Sequence, residues 1–317
     1  MTRSPKMTAA VISYATREQL PACLGALRDE AVREVILVDN ASPDGSAALV
    51  GAEFPWVTLI ANEVNGGYGA AANQAVSSSS SAYVFLLNGD AVPDAGTVAA
   101  LEAYLDEHPG VAVVGPALRY PDGRLQPSCF PFLTPLNVLI VMSALNGLVG
   151  RVPGLRSRHL PTSAHRTARR VPWVKGAALA IRVAAFDAVG GFDESFFMYS
   201  EEQDLSYRLA AAGWETHFAP VGAVMHVERA SSPGRETAVS EQIFRSLIHF
   251  YRLHYSPRRL VGLRVVLAAL MSARIVRDGV RLAAEREALS RRQLRSDISL
   301  WRRVLAGRLA QGAASGS

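Results

Sequence analysis

Five apolar runs alternate with helical patterns over the first 118 residues, and the runs stay apolar instead of switching in and out. They are AAVISY (9–14), EVILVDN (34–40), VTLIAN (57–62), AYVFLLN (82–88) and VAVVGPAL (111–118). A strand with one wet face shows a polar residue at every second position, whereas a run apolar throughout is covered on both faces. Residues 17–29, 44–52, 68–77 and 94–107 fill the gaps with helical spacing. Repetition of this kind predicts an α/β, doubly wound, mostly parallel sheet with helices on both faces. Ligands of such sheets sit beyond the carboxyl ends of the strands, so the turn after each run is where chemistry is expected.

Three runs end in polar turns. ILVDNASPDGS (36–46) brings Asp39 to a strand end. A carboxylate there accepts hydrogen bonds from a nucleobase imide or a ribose hydroxyl; alternatively the turn only ends the strand and Asp44 caps the next helix. NGGYGAAANQA (65–75) opens a helix with Gly66, Gly67 and Gly69, which permit close backbone approach and leave helix-start amides for a diphosphate. It is neither a Walker loop nor the dinucleotide fingerprint, and a tight turn without a ligand is the alternative. FLLNGDAVP (85–93) places Asp90 at a strand tip, where a charge needs water, a donor or a cation. Oxygen ligands of this kind suit Mg2+ or Mn2+; an Asx turn is the plain alternative.

FFMYSEEQDLSYRLAAAGW (196–214) sets three carboxylates behind an aromatic wall. A helix from about Ser200 puts Glu201 and Asp204 on one face, offers Arg208 to Asp204 at i,i+4, and turns Glu202 roughly 160° away from Asp204. First-turn acids suit the helix dipole, and a carboxylate against an apolar wall is also the setting of a tuned base. VMHVERASS (224–232) ends a short apolar run with His226, where a lone histidine is more often core than ligand.

Composition bounds the rest. At 317 residues the chain can bury one large core, or one core with an appendage, and 49% hydrophobic with 19% charged residues excludes a disordered chain. Cys23 and Cys129 show no metal or redox spacing, and Met1 to Thr8 holds no signal-length apolar run, so a reduced cytoplasmic setting is expected. Residues 125–150 are uncharged, but Pro131, Pro135, Asn137 and Asn146 interrupt them, which favours an interfacial or buried connection over a membrane span. Residues 151–170 bring six Arg and no acid and read as a flexible basic loop. From Pro257 to about Leu309 the chain reads as helical, with a frayed end at AQGAASGS (310–317). Residues 251–317 hold 14 Arg against 4 acids, which leaves the remainder net acidic. Helical spacing gathers Leu, Val and Ile of this tail on one stripe, a pattern suited to an anionic membrane surface. Helices packed on the main domain and a homodimer interface are the alternatives. No nucleic-acid partner is expected, because Trp301 is the only aromatic beyond residue 255.

In order, VISY, ILVDNASPDGS, NGGYGAAAN, LLNGD, VPWVKGAALAIR, GGFDESFFMYSEEQDLSYRLAAAGW and VMHVERASS resemble glycosyltransferase family 2, of the GT-A fold. Within it the likeness is to bacterial rhamnosyltransferases of cell-envelope glycolipids or polysaccharides, and RYPDGRLQPSCFPFLTP (119–135) looks like a segment those enzymes carry. The resemblance implies a catalytic domain over 1–256, divided at residue 118 into nucleotide-binding and acceptor halves, before a 257–317 helical tail. It implies an inverting, metal-dependent transfer of a sugar from a nucleotide-diphosphate donor, best matched by dTDP-rhamnose, to a saccharide or polyprenyl-linked acceptor. Another donor (UDP-galactofuranose, UDP-glucose or a GDP-sugar) is the alternative within the class; a non-catalytic sugar-nucleotide-binding protein is the alternative outside it. Carried over by position, the donor contacts are Ser13, Tyr14, Asp39, Asn40, Ser42, Asn65, Gly67, Tyr68, Asn73, Asn88 and Gly89. Trp173, Lys175, Gly176 and Ala177 line the acceptor cleft, and Asp90 with His226 holds Mg2+ or Mn2+. The family's base is the Asp of a Glu-Asp pair; here the pair is Glu201-Glu202, so the base falls to Glu202 with Glu201 as support or substitute. Asn88 stands where the metal motif begins with Asp, leaving Asp90 as the main acidic ligand. A cytoplasmic protein, peripheral on the inner face of the cell membrane if the tail lies there, is the expected location.

Overall fold

The computed structural model describes residues 5–143, 160–228, 236–285 and 287–306. Its elements run β1 (Met7–Ser13), α1 (Leu20–Arg28), β2 (Val35–Asp39), α2 (Ser46–Glu53), β3 (Thr58–Ala61), α3 (Tyr68–Ser78) and β4 (Tyr83–Asn88). There follow β5 (Ala91–Pro93), α4 (Thr97–Glu107), β6 (Val111–Arg119), β7 (Leu125–Gln126), β8 (Cys129–Phe130) and α5 (Pro135–Met142). The chain continues through β9 (Arg169–Arg170), β10 (Trp173–Val174), β11 (Ala178–Arg182), α6 (Val183–Ala188), α7 (Glu201–Ala211) and β12 (Glu215–His226). Three helices close it: α8 (Glu236–His254), α9 (Pro257–Ala284) and α10 (Ala288–Leu305).

Two compact units are present: one extends to Phe132 and resumes through β9 to β12, and the other holds α5 with α8 to α10. The first is built on a sheet of order β3-β2-β1-β4-β11-β6-β12-β5. The five apolar runs become β1, β2, β3, β4 and β6. Burial on both faces is literal: Val35 and Leu37 of β2 enter one core while Ile36 and Val38 enter the other. Ala71, Ala72 and Ala75 let α3 lie close on the second face. Two features depart from the run-by-run reading. Strand β3 keeps half-exposed or exposed side chains because it is the sheet edge, with β2 as its one neighbour. Strand β11 inserts antiparallel between β4 and β6, pairing Ala178 with Leu87 and Ala180 with Val114. That insertion carries the segment before β11 to the carboxyl end of β4, where Asn88 N donates to Ala177 O at 3.0 Å.

In the second unit the described part of the uncharged stretch forms α5, started by Pro135 and a capping box between Thr134 and Asn137. Helix α9 buries Leu263, Leu267, Leu270 and Met271 and packs with α5, α8 and α10. Trp301 Nε1 donates to the buried Asp278 at 3.1 Å, and Arg277 pairs with the same carboxylate. The leucine stripe of the tail is thus covered inside this unit. No described helix is long and apolar enough to cross a membrane. Most of the basic loop (151–159), the end of the His226 motif (229–232) and the frayed terminus lie outside the described residues.

Candidate active site

The carboxyl ends of β1, β2, β4 and β12 and the segment entering β11 meet along one edge of the first unit, and backbone strain collects there. Among the described residues the non-glycines with positive φ are Ala15 (52°), Ala41 (61°), Tyr199 (67°), Ser200 (70°) and Glu228 (51°). Ala15 follows β1, Ala41 follows β2, Tyr199 and Ser200 lead into α7, and Glu228 follows β12. Each such residue costs about 1–3 kcal/mol, and strain of this kind concentrates at functional sites.

Asp39 closes β2 with 2% exposure. Its Oδ1 accepts from Ser42 N at 2.9 Å, while Oδ2 is buried with no partner. A buried carboxylate oxygen without a donor is an acceptor awaiting one.

Helix α7 presents the acidic stretch. Asp204, 1% exposed, accepts from Arg208 Nε at 2.8 Å, and Arg208 also donates to Val189 O and Gly191 O, both at 2.7 Å. This fastens α7 to the turn before it and is structural. Glu201 and Glu202 differ: the Oε2 of each is buried and unpartnered. Glu202 Oε1 accepts from Gly176 N at 3.2 Å. Burial pushes the carboxyl of Glu202 above the usual range, opposed by backbone hydrogen bonds and the Lys175 ammonium. Burial pushes Glu201 well above it, and the charge of Glu202 adds to the shift. Tyr68 donates to Gly176 O at 2.9 Å; burial, then the two glutamates, hold its phenol firmly protonated.

Asp90 and His226 face each other, Oδ1 to Nε2 at 3.4 Å. Nδ1 of His226 lies 2.8 Å from Gln126 Oε1, and in the neutral tautomer that donates from Nδ1 the Nε2 lone pair faces the carboxylate. Two acceptors opposed in this way fit a cation between them, and both are ligands for Mn2+ or Mg2+. Among the described residues no third His, Cys, Asp or Glu completes a cluster, so diphosphate oxygens and water would fill the remaining positions. Gln126 in turn reaches Glu228, whose Oε1 accepts from Lys175 Nζ at 2.7 Å. Gln126 and Glu228 are neighbours of this candidate site that motif reading did not single out, since nothing local marks a glutamine 100 positions from its histidine. The thiols are inert: burial, then the Asp90 charge, pushes Cys23 up to about 12, and burial takes Cys129 to about 12.

Several expected donor contacts turn out to brace the site. Asn40 Nδ2 donates to Asn65 Oδ1 and Gly67 O, and its Oδ1 accepts from Gly66 N and Asn62 Nδ2. Asn65 Oδ1 also accepts from Gly67 N, and Tyr68 N donates to Phe197 O. The amides of Gly66, Gly67 and Tyr68 are therefore taken within the protein, which corrects the expectation that this helix start offers them to a diphosphate. Asn73 clamps the turn at residues 192–194 with three hydrogen bonds. Ser13 bonds Thr16, and Ser42 Oγ accepts from Ala15 N. A Cβ on Gly89 would sit 2.3 Å from Thr16 Oγ1, so any larger residue there would have to displace the Thr16 side chain. Asn88 holds Ala177 through its amide, and half-exposed Tyr14 follows β1 into the same edge. On the acceptor side Trp173 stacks on Phe130 at 4.1 Å and donates to Pro131 O. Lys175, Gly176 and Ala177 then run past Glu202 to Asn88.

The profile of the family described as "Glycosyltransferase like family 2" matches residues 5–246. The N-acetylglucosaminyl-diphospho-decaprenol L-rhamnosyltransferase of Mycobacterium tuberculosis (strain CDC 1551 / Oshkosh) is 31% identical over 221 residues, covering 64% of this chain and 69% of the relative. Among solved structures, GalNAc-T7 with UDP, GalNAc and Mn2+ aligns with TM-score 0.54 at 14% identity over 79% of this chain, which spans 50% of that protein's length. Mannosyltransferase PcManGT from Pyrobaculum calidifontis with GDP-Man and Mn2+ aligns with TM-score 0.51 at 19% identity, covering 97% of this chain and 87% of the other. At such identities the two structures bear on the fold, which is shared.

Proposed function

The chain belongs to glycosyltransferase family 2, has the GT-A fold and is a glycosyltransferase, and from that premise we propose that it transfers L-rhamnose from dTDP-rhamnose, with inversion, to a hydroxyl of a lipid-linked saccharide. The sugar and the acceptor class are supported by the name of the 31% identical relative. The mechanism rests on one observation, the buried and unpartnered Oε2 of Glu202 at the strand-end edge.

Asp39 Oδ2 accepts the imide N–H of the thymine base. Asp90 and His226 would hold Mg2+ or Mn2+, which would neutralise charge on the leaving diphosphate. Glu202 takes the proton of the acceptor hydroxyl while that oxygen bonds to the anomeric carbon. The bond from this carbon to the diphosphate oxygen breaks, and its electron pair leaves with the nucleotide. One displacement with one base inverts the anomeric centre, without the covalent intermediate of a retaining glycosidase. Lys175 favours the ionised, proton-accepting form of Glu202 against the burial that opposes it. A polyprenyl chain keeps such an acceptor in a bilayer, so the enzyme works at the inner face of the membrane from the cytoplasm.

A thermal-shift screen with Mn2+ present tests the donor, because ligand-induced stabilisation follows affinity. The largest shift is expected with dTDP-rhamnose; a larger one with a UDP- or GDP-sugar replaces the donor and leaves the chemistry standing. Glu202→Gln is expected to keep the donor shift and lose transfer by roughly 10²–10⁴-fold. Full activity in that variant removes Glu202 as the base.

A further inference from the structure

Helix α9 is apolar on two opposite sides. The side with Leu263, Leu267, Leu270 and Met271 is buried in the second unit. At 3.6 residues per turn, Val261, Val265, Ala269, Val276, Val280 and Ala283 gather opposite it, within about a third of the circumference. The four valines are 57, 63, 67 and 67% exposed. No charged residue falls in that sector between Val261 and Ala283. A helix face turned to water ordinarily carries charge, so this face is built for a less polar neighbour.

The surrounding charges identify the neighbour. Arg264 flanks the stripe on one side, and on the other Arg277, which is half-exposed and also pairs with the buried Asp278. Across α9 and α10 eight arginines are exposed, whereas both acids of these helices, Asp278 and Asp297, are buried or half-buried. A second copy of the chain would set this positive field against itself, which like-charge repulsion opposes. Nucleic acid would satisfy the arginines and leave the valines in water. A layer of anionic headgroups over acyl chains answers to both features.

We propose that α9 lies in the plane of an anionic phospholipid surface, with the valine stripe at the headgroup–acyl boundary and the flanking arginines at the phosphates. Valine and alanine bury little area, so attachment is reversible and depends on anionic lipid. The inference rests on the surface of the second unit alone and does not depend on the catalytic reading.

The test uses the full chain without sugar nucleotide. It is floated with phosphatidylcholine vesicles containing phosphatidylglycerol, and separately with vesicles of phosphatidylcholine alone. Flotation is expected only with the anionic vesicles and falls at high salt. Val265→Glu combined with Val276→Glu abolishes it while the melting temperature holds, since both sites are exposed. Arg264→Gln lowers partitioning roughly fivefold. Failure of the wild type to float, or undiminished flotation of the double variant, overturns the proposal. A wild-type dimer that the same glutamates dissolve, without flotation, assigns the face to a second copy; retention on DNA without flotation assigns it to nucleic acid. Either result also overturns it.

Discussion

Glu201 and Glu202 each keep a carboxylate oxygen out of water with no hydrogen-bond partner, next to a phenol and an ammonium group. The directions of their shifts have two measurable consequences. As base, Glu202 must be ionised, and Lys175 favours that form. In Lys175→Met the acid limb of the rate–pH profile therefore moves to higher pH, read from kcat/KM across the weakly acidic range; a shift to lower pH contradicts the assignment. Stability runs the other way. Below about pH 4.3, the ordinary glutamate value, both folded and unfolded states hold these protons. As pH rises toward the raised folded values the unfolded chain releases its protons first, so folding stability declines through that window. Glu201→Gln, measured by urea unfolding without ligand, should make the protein increasingly more stable than wild type as pH climbs from about 4 to 7. At this scale the Asp204–Arg208 pair was legible from i,i+4 spacing. The Asp90–His226 pairing came from the family resemblance, but the path onward from His226 through Gln126 and Glu228 to Lys175 was not legible, because each link joins segments far apart in the chain.

The glycine-rich opening of α3 is the tight turn that the sequence offered as one of its two readings, with its amides bonded within the protein. A Cβ on Gly67 would lie 2.2 Å from Phe197 O, and its φ is +90°. The missing side chain lets α3 meet the aromatic segment ahead of α7, so the loop joins two elements of the site. Gly67→Ala should lower stability by more than the roughly 1–2 kcal/mol that a left-handed alanine costs, both because φ +90° with ψ 172° is a region essentially confined to glycine and because the Cβ meets Phe197 O, and it should displace α7 enough to reduce transfer. Gly123→Ala is the comparison, since its φ is +82° but nothing lies within 4 Å of the added carbon; it should show the cost of a positive φ without a clash. Equal melting temperatures for the two variants would remove the steric argument. Strands β1, β2, β4 and β6 were legible because buried strands are written as unbroken apolar runs; β3 was found by the same pattern although it lies at the exposed sheet edge. The place of β11 was not, since pairing with β4 and β6 depends on residues some 65–100 positions away.

Across the whole molecule, the first unit carries the strained strand-end edge and the second carries an arginine-rich helical surface. Hydrophobic periodicity, turn chemistry and charge counts are local quantities, so the amino-acid order alone settled the doubly wound layout, the helical tail and the ordered motifs of a glycosyltransferase. Which groups were left unsatisfied is a property of three-dimensional packing. Only the folded chain separated the buried oxygens without a hydrogen-bond partner, on Asp39, Glu201 and Glu202, from the asparagines and glycines whose polar groups are taken within the protein. Only packing decided which apolar side of α9 was already covered, because burial of one face depends on where the other helices lie.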